Sequence, residues 1–162
     1  MKFLLFLDMD KNGIMRLRKA DREDVDLILQ FIKGIAEYEK MLDEVKATPE
    51  LLKEWLFDKN IAEVVFIMEE DREVGFVLYF YNFSTFVGRA GIYIEDLYVK
   101  PQYRGKGYGK ALIKYLIEKA KREKLGRIEW TCLDWNQPSI DFYKSLGAKP
   151  MDEWTNFRLV IG

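Results

Sequence analysis

The chain contains no histidine and one cysteine, Cys132. Without histidine there is no Ser-His-Asp or Cys-His arrangement, and the commonest zinc ligand is gone. A lone cysteine excludes an intrachain disulfide and a cysteine-based metal cluster. A general base must then be a carboxylate, a lysine, a tyrosine or a water. Long apolar runs are also missing: none approaches the ~20 residues needed to span a bilayer. Charge of one sign is not in excess, since 26 basic and 27 acidic residues leave a net charge of -1. No global basic field recruits nucleic acid. The opening "MKFLLFL" is shorter than the ~7–15-residue apolar core of a signal peptide, and no small-residue cleavage site follows. A cytoplasmic location is expected, with no membrane and no nucleic-acid partner.

What is present suits one globular domain. The chain has 162 residues, 49% of them hydrophobic and 33% charged, enough for a real core. Residues 14–18 alternate and predict a strand. Asp21 is positioned to cap a helix whose apolar face holds Val25, Ile28, Leu29, Ile32 and Ile35. Thr48 and Pro49 start a shorter helix. Residues 62–70 and 73–83 predict a β-hairpin turning at Glu70-Asp71. Residues 91–99, "GIYIEDLYV", predict a strand with two adjacent acids. Either Glu95 and Asp96 face opposite sides of the sheet or a bulge intervenes. A helix follows, with Leu112, Ile113, Leu116, Ile117 and Ala120 inward, and Gly126 as its stop. Strands over 127–133 and 156–161 flank a short helix with Pro138 near its start and Gly147 past its end.

Two motifs near the N-terminus mislead. Asp8, Asp10, Asn12 and Gly13 fit the opening of a calcium-binding EF-hand loop, but its last position should be a bidentate Glu and is Lys19. The same stretch also resembles the aspartate motif of haloacid-dehalogenase-like phosphatases, yet no further motif of theirs follows. The expected reading is a hydrophobic leader, residues 1–13, with an Asn12-Gly13 turn, ahead of a single domain at 14–162.

The stretch "PQYRGKGYGKALI" carries the strongest signal. Gly105, Gly107 and Gly109 precede a helix, where Ser or Asp would cap better. A flexible surface turn is one explanation; a backbone cradle for phosphate oxygens is the other. A P-loop needs Gly where Arg104 stands and Ser or Thr where Ala111 stands. A dinucleotide fingerprint fails at Lys110 or Leu112.

The remaining pattern, Arg-Gly-Lys-Gly-Tyr-Gly between strand and helix, resembles the acyl-CoA pyrophosphate loop of the GNAT superfamily of N-acetyltransferases. "YIEDLYV" before it and "LDWNQPSIDFYKSLGA" after it extend the resemblance. Within the superfamily the chain is similar to the diamine and thialysine acetyltransferases, the spermidine/spermine group. "IAEYEKM" and "DEWTNFRL" match that group too. The resemblance covers about residues 15–161. It implies a mixed α/β fold: a twisted, mostly antiparallel sheet flanked by helices, two of whose central strands splay apart around the cofactor. It implies acetyl-CoA as co-substrate, with no metal.

The resemblance also implies roles. Tyr143, in "FYK", matches the general acid; a phenol of pKa ~10 suits protonation of a leaving thiolate near ~8.5. Glu95 matches the base position, where it would take a proton from an ammonium of pKa ~10.4 or simply attract the cation. The main chain of Leu97, Tyr98 and Val99 would pair with the pantetheine arm. Arg104, Gly105, Lys106, Gly107, Tyr108, Gly109 and Lys110 would surround the pyrophosphate, with Asn136, Ser139 and Tyr143 as further cofactor contacts. A helix cap is the plainer role for Asn136. Tyr38, Glu39, Glu95, Asp96, Asp152, Glu153 and Trp154 would receive a cationic amine. One departure stands out: Ser84 and Phe86 lie where polyamine-preferring members carry an acid and a tryptophan. Cys132 lacks any neighbouring base, so direct transfer in a ternary complex is expected rather than an acetyl-cysteine. Alternatives are acetylation of protein N-termini or lysines, and a non-catalytic acetyl-CoA-binding module. The family suggests a homodimer.

Overall fold

The computed structural model describes residues 4–9 and 13–162, with side chains from Met15 onward. It divides into two compact units, Met1–Thr131 and Cys132–Gly162.

The first unit is built on a six-stranded sheet in the order β1-β2-β3-β4-β5-β6. The strands are β1 (Leu4–Met9), β2 (Gly13–Lys19), β3 (Glu63–Glu69), β4 (Arg72–Ser84), β5 (Arg89–Val99) and β6 (Ile128–Trp130). Neighbours are antiparallel except β5 and β6, which are parallel. The leader therefore supplies an edge strand, and Asp8 and Met9 pair with Ile14 and Gly13 across a hairpin. Strands flank this turn where an EF-hand would need helices. The side chains of Asp8, Asp10 and Asn12, which carry the two misleading motifs, lie outside the described residues.

Two faces of the sheet are buried, which explains the near-continuous apolar runs of β3 and β4. Val64, Phe66, Phe76 and Leu78 pack with Ile28 and Phe31 of α1 (Val25–Tyr38) and with Leu56. Burial of each large side chain contributes about 1.5–3 kcal/mol. Phe31, absent from the expected apolar face, is the most central: its ring stacks on Phe76 at 5.1 Å. Asp21 caps a 3₁₀ turn, Arg22–Asp24, that leads into α1. Thr48 caps α2 (Pro49–Leu52), which widens into a π turn over Lys53–Asp58.

Helix α3 (Tyr108–Arg122) buries Ala111, Leu112, Ile113 and Leu116, but also Tyr115 and Lys119. Those two polar residues are buried, whereas the expected Ile117 and Ala120 are only half-buried. Their partners explain it. Lys119 Nζ lies 2.9 Å from Glu123, and Tyr81 donates to Glu123 at 2.7 Å. Tyr79 donates to Glu63, and Glu63 lies 4.0 Å from Lys119. Burial works against the Lys119 charge, but Glu123, Tyr81 and Glu63 outweigh it, and its pKa is raised. The helix stop also differs from expectation. It falls at Lys124, in a left-handed conformation (φ 56°), rather than at Gly126.

The second unit holds α4 (Gln137–Ser145), with Asn136 as cap and Gly147, at φ 87°, past its end. Two expected strands are corrected here. The strand expected over 127–133 is only the three residues of β6. Residues 156–161 form no strand, and Phe157, Leu159, Val160 and Ile161 are 80–90% exposed. Apolar, β-branched sequence favours a strand only where a neighbour completes the ladder.

Candidate active site

Two irregularities in β5 create the first part of the site. Leu78 pairs with Asp96 and Tyr79 with Ile94, so Glu95 is the extra residue of a β-bulge. This is how the strand accommodates adjacent acids: Glu95 is exposed and Asp96 half-buried. The second irregularity is on the other edge. Parallel pairing with β6 runs from Ile92↔Ile128 to Ile94↔Trp130 and stops. Beyond Ile94, the segment Glu95–Val99 has no strand beside it on that edge among the described residues. The two strands separate where the acids begin, and the freed edge contains Leu97, Tyr98 and Val99.

The acids form a cluster. Burial pushes the Asp96 carboxyl up to about 7, and the nearby charges of Glu95 and Glu39 add to the shift. Glu39, at the C-terminal end of α1, is itself raised by burial. Together they make an electronegative cluster that a cation would relieve. A stability prediction follows. The folded pKa of Asp96 is raised above its unfolded value of ~3.9, so its charge opposes folding. The penalty is absent below pH ~4, grows as pH rises, and is complete above ~7. Three pKa units correspond to an upper limit of about 4 kcal/mol, which solvent at this half-buried group reduces to about 1–2. Asp96→Asn should therefore raise stability to urea at pH 8 by roughly that amount and leave it nearly unchanged at pH 4. An equal gain at both pH values would exclude charge burial as its origin.

Aromatic residues neighbour these acids in the chain: Tyr38 precedes Glu39, and Tyr98 lies two residues past Asp96. Arg104 Nε donates to the Val99 carbonyl at 2.9 Å. Its guanidinium lies 4.9 Å from the Tyr38 ring centroid and 5.4 Å from that of Tyr98. Gly34 makes room for the Tyr98 ring: a Cβ there would sit 2.9 Å from its hydroxyl oxygen. Arg104 thus braces the end of β5 against α1.

The glycine loop follows directly. Gly105 and Gly107 have φ of 79° and 87°, the left-handed region where a side chain is strained. Gly107 is the residue before α3, and an ideal Cβ on Gly105 would meet nothing within 4 Å. The loop is exposed from Arg104 to Gly107, as is Lys110 on the first turn of α3. Gly109 lies within that turn. Two left-handed glycines at the head of a 15-residue helix suit a tight surface turn, and they also leave backbone N–H groups open to an anion. A pyrophosphate-bearing cofactor fits these residues: backbone N–H groups without Cβ obstruction, a helix N-terminus, and lysines at 106 and 110.

Within the second unit, the Asn136 side chain accepts from the Ser139 amide at 3.4 Å, so it caps α4 as well as standing at a proposed cofactor position. Tyr143 is half-buried on α4, and its ring lies 5.5 Å from Phe142. Asp152, Glu153 and Trp154 are exposed. Ser84 is buried and accepts from the Val87 amide at 3.2 Å, so it builds the β4–β5 turn, while Phe86 is 96% exposed. Sequence reasoning missed Glu69, which binds the glycine loop from the β3–β4 turn; no local pattern announces it.

A family model described as "Acetyltransferase (GNAT) family" matches residues 28–148. The chain belongs to the GNAT acetyltransferase family and is an N-acetyltransferase. It is 39% identical over 154 residues to the thialysine N-epsilon-acetyltransferase of Sus scrofa, covering 88% of this chain and 90% of that one. It is 42% identical over 85 residues to the L-ornithine N5-acetyltransferase of Arabidopsis thaliana, covering 52% and 37%. A solved integron cassette protein from V. cholerae superposes with a TM-score of 0.74 at 28% identity, covering 90% of this chain and 92% of that one.

Proposed function

We propose that this acetyltransferase moves the acetyl group of acetyl-CoA directly to a short-chain primary amine bearing a second polar or charged group, such as thialysine, ornithine or a diamine. The observation that carries this reading is the bulge: it gathers Glu95, Asp96 and Glu39 beside the freed edge of β5. The names of the relatives point to the same substrate class.

On this reading Glu39, Asp96, Glu153, Trp154 and Tyr38 receive the amine. Glu95 takes a proton from the ammonium, directly or through water. The free amine attacks the thioester carbonyl, a C–N bond forms and the C–S bond breaks. Tyr143 gives its proton to the departing sulfur. Leu97, Tyr98 and Val99 offer main-chain groups to the pantetheine arm. The stretch from Arg104 to Lys110 holds the pyrophosphate, and Asn136 and Ser139 add contacts. The family match runs from residue 28 to residue 148, from the first unit into the second. The chain acts as a homodimer; the exposed apolar residues Phe157, Leu159, Val160 and Ile161 support an association that would cover them. A reaction consuming acetyl-CoA suits the cytoplasm.

The test is an amine panel followed by release of free CoA. Ornithine, thialysine and short diamines should be turned over, and spermidine less well, given Ser84 and Phe86. Turnover confined to peptide N-termini or peptidyl lysines would instead support a protein acetyltransferase.

A further inference from the structure

The turn between β3 and β4 is bound to the glycine loop at two points, both through Glu69. Glu69, the last residue of β3, accepts from Lys106 Nζ at 2.9 Å and from the Tyr108 hydroxyl at 2.7 Å, both on Oε1. The Tyr103 phenol acts on the Arg72 guanidinium, at the first residue of β4, and raises its pKa. The Lys106 ammonium also lies 5.4 Å from the Tyr103 ring centroid. Tyr103 precedes the two left-handed glycines, Lys106 separates them and Tyr108 follows them. The turn itself is anchored: Glu70 is left-handed at φ 53°, and Asp71 pairs with Arg16 of β2 at 3.3 Å.

A loop with two such glycines has unusual conformational freedom, and ordering it costs entropy. Its N–H groups converge on a ligand only if something outside the loop fixes them. We propose that Glu69 is the positioning residue of the acetyl-CoA loop: its carboxylate holds Lys106 and Tyr108 so that the amides around Gly105 and Gly107 are aligned before the pyrophosphate arrives. This rests on the proposed reading of the loop as a pyrophosphate cradle.

The sign of the effect distinguishes this role from bare electrostatics. A carboxylate near an anion site repels the anion and occupies Lys106, so charge alone predicts tighter binding when Glu69 is removed. Positioning predicts weaker binding, because preorganisation is lost. Surface ion pairs contribute little to folding, so the variants should remain folded.

The experiment is calorimetry of acetyl-CoA binding, with steady-state kinetics, on Glu69→Ala, Glu69→Gln and Gly107→Val. Glu69→Ala should weaken acetyl-CoA binding by about five- to tenfold and raise its KM alike. At saturating acetyl-CoA, kcat and the KM for the amine should stay within about twofold. Glu69→Gln keeps an acceptor for Tyr108 and should recover part of the loss. In a Lys106→Met background the effect of Glu69→Ala should shrink, since the two residues share one contact. Unchanged or tighter binding by folded Glu69→Ala, with Gly107→Val impaired, overturns the positioning role alone. Normal binding by folded Gly107→Val overturns the reading of the loop itself.

Discussion

Tyr143→Phe should stay folded, bind acetyl-CoA nearly normally, and lose at least ~10²-fold in kcat. Phenylalanine keeps the ring, and with it the packing against Phe142 and the fit on α4. It removes only the hydroxyl. General-acid catalysis is typically worth ~10²–10⁴-fold, or roughly 3–5 kcal/mol of barrier. The loss of one hydroxyl hydrogen bond costs only ~1 kcal/mol of stability. Wild-type kcat/KM should rise with pH as the amine loses its proton, then fall once the Tyr143 hydroxyl is ionised. The falling limb should vanish in the variant. Near-normal kcat would assign the proton to water or another group and leave Tyr143 with packing alone.

The parts of this molecule that sequence reasoning anticipated are those set by local chemistry. The glycines ahead of an apolar-periodic run implied a loop leading into a helix, and α3 begins at Tyr108, directly after Gly107. The adjacent Glu95 and Asp96 implied either an acid facing inward or a bulge; the structure has the bulge. Thr48 and Asn136 cap α2 and α4 as their positions imply, while Asp21 caps the 3₁₀ turn that leads into α1 rather than α1 itself.

The parts that were not anticipated depend on partners distant in the chain. Lys119 is buried because Glu63, 56 residues earlier, and Glu123 meet it. A helical wheel sees only a lysine on the apolar side. Glu69 is 37 residues from Lys106 and 39 from Tyr108, and in the sequence it is one of several acids at a turn. Arg104 and Lys106, expected to face the cofactor, are also engaged with Tyr38, Tyr98 and Glu69. A loop that must be both flexible in sequence and fixed in space needs such outside contacts, and only the fold supplies them. Residues 156–161 fail as a strand for the converse reason: alternation gives propensity, not a partner.

Gly107→Val should abolish most acetyl-CoA affinity, by more than ~30-fold, for two separable reasons. A β-branched residue at φ 87° is strained by about 1–3 kcal/mol, so the loop relaxes away from its present shape. Wherever the backbone settles, a branched side chain now stands among the N–H groups that a pyrophosphate would approach. The nearest atom to an ideal Cβ is Met15 Cε at 4.0 Å, so crowding within the folded chain is not the cause of the loss. Gly107→Ala separates the two effects. It retains most of the backbone strain but projects only one methyl group, and should lose affinity by a smaller factor. Calorimetry on both variants, with circular dichroism to show that α3 survives, decides the matter. A folded Gly107→Val protein that binds acetyl-CoA as tightly as the wild type would remove the loop from the cofactor site.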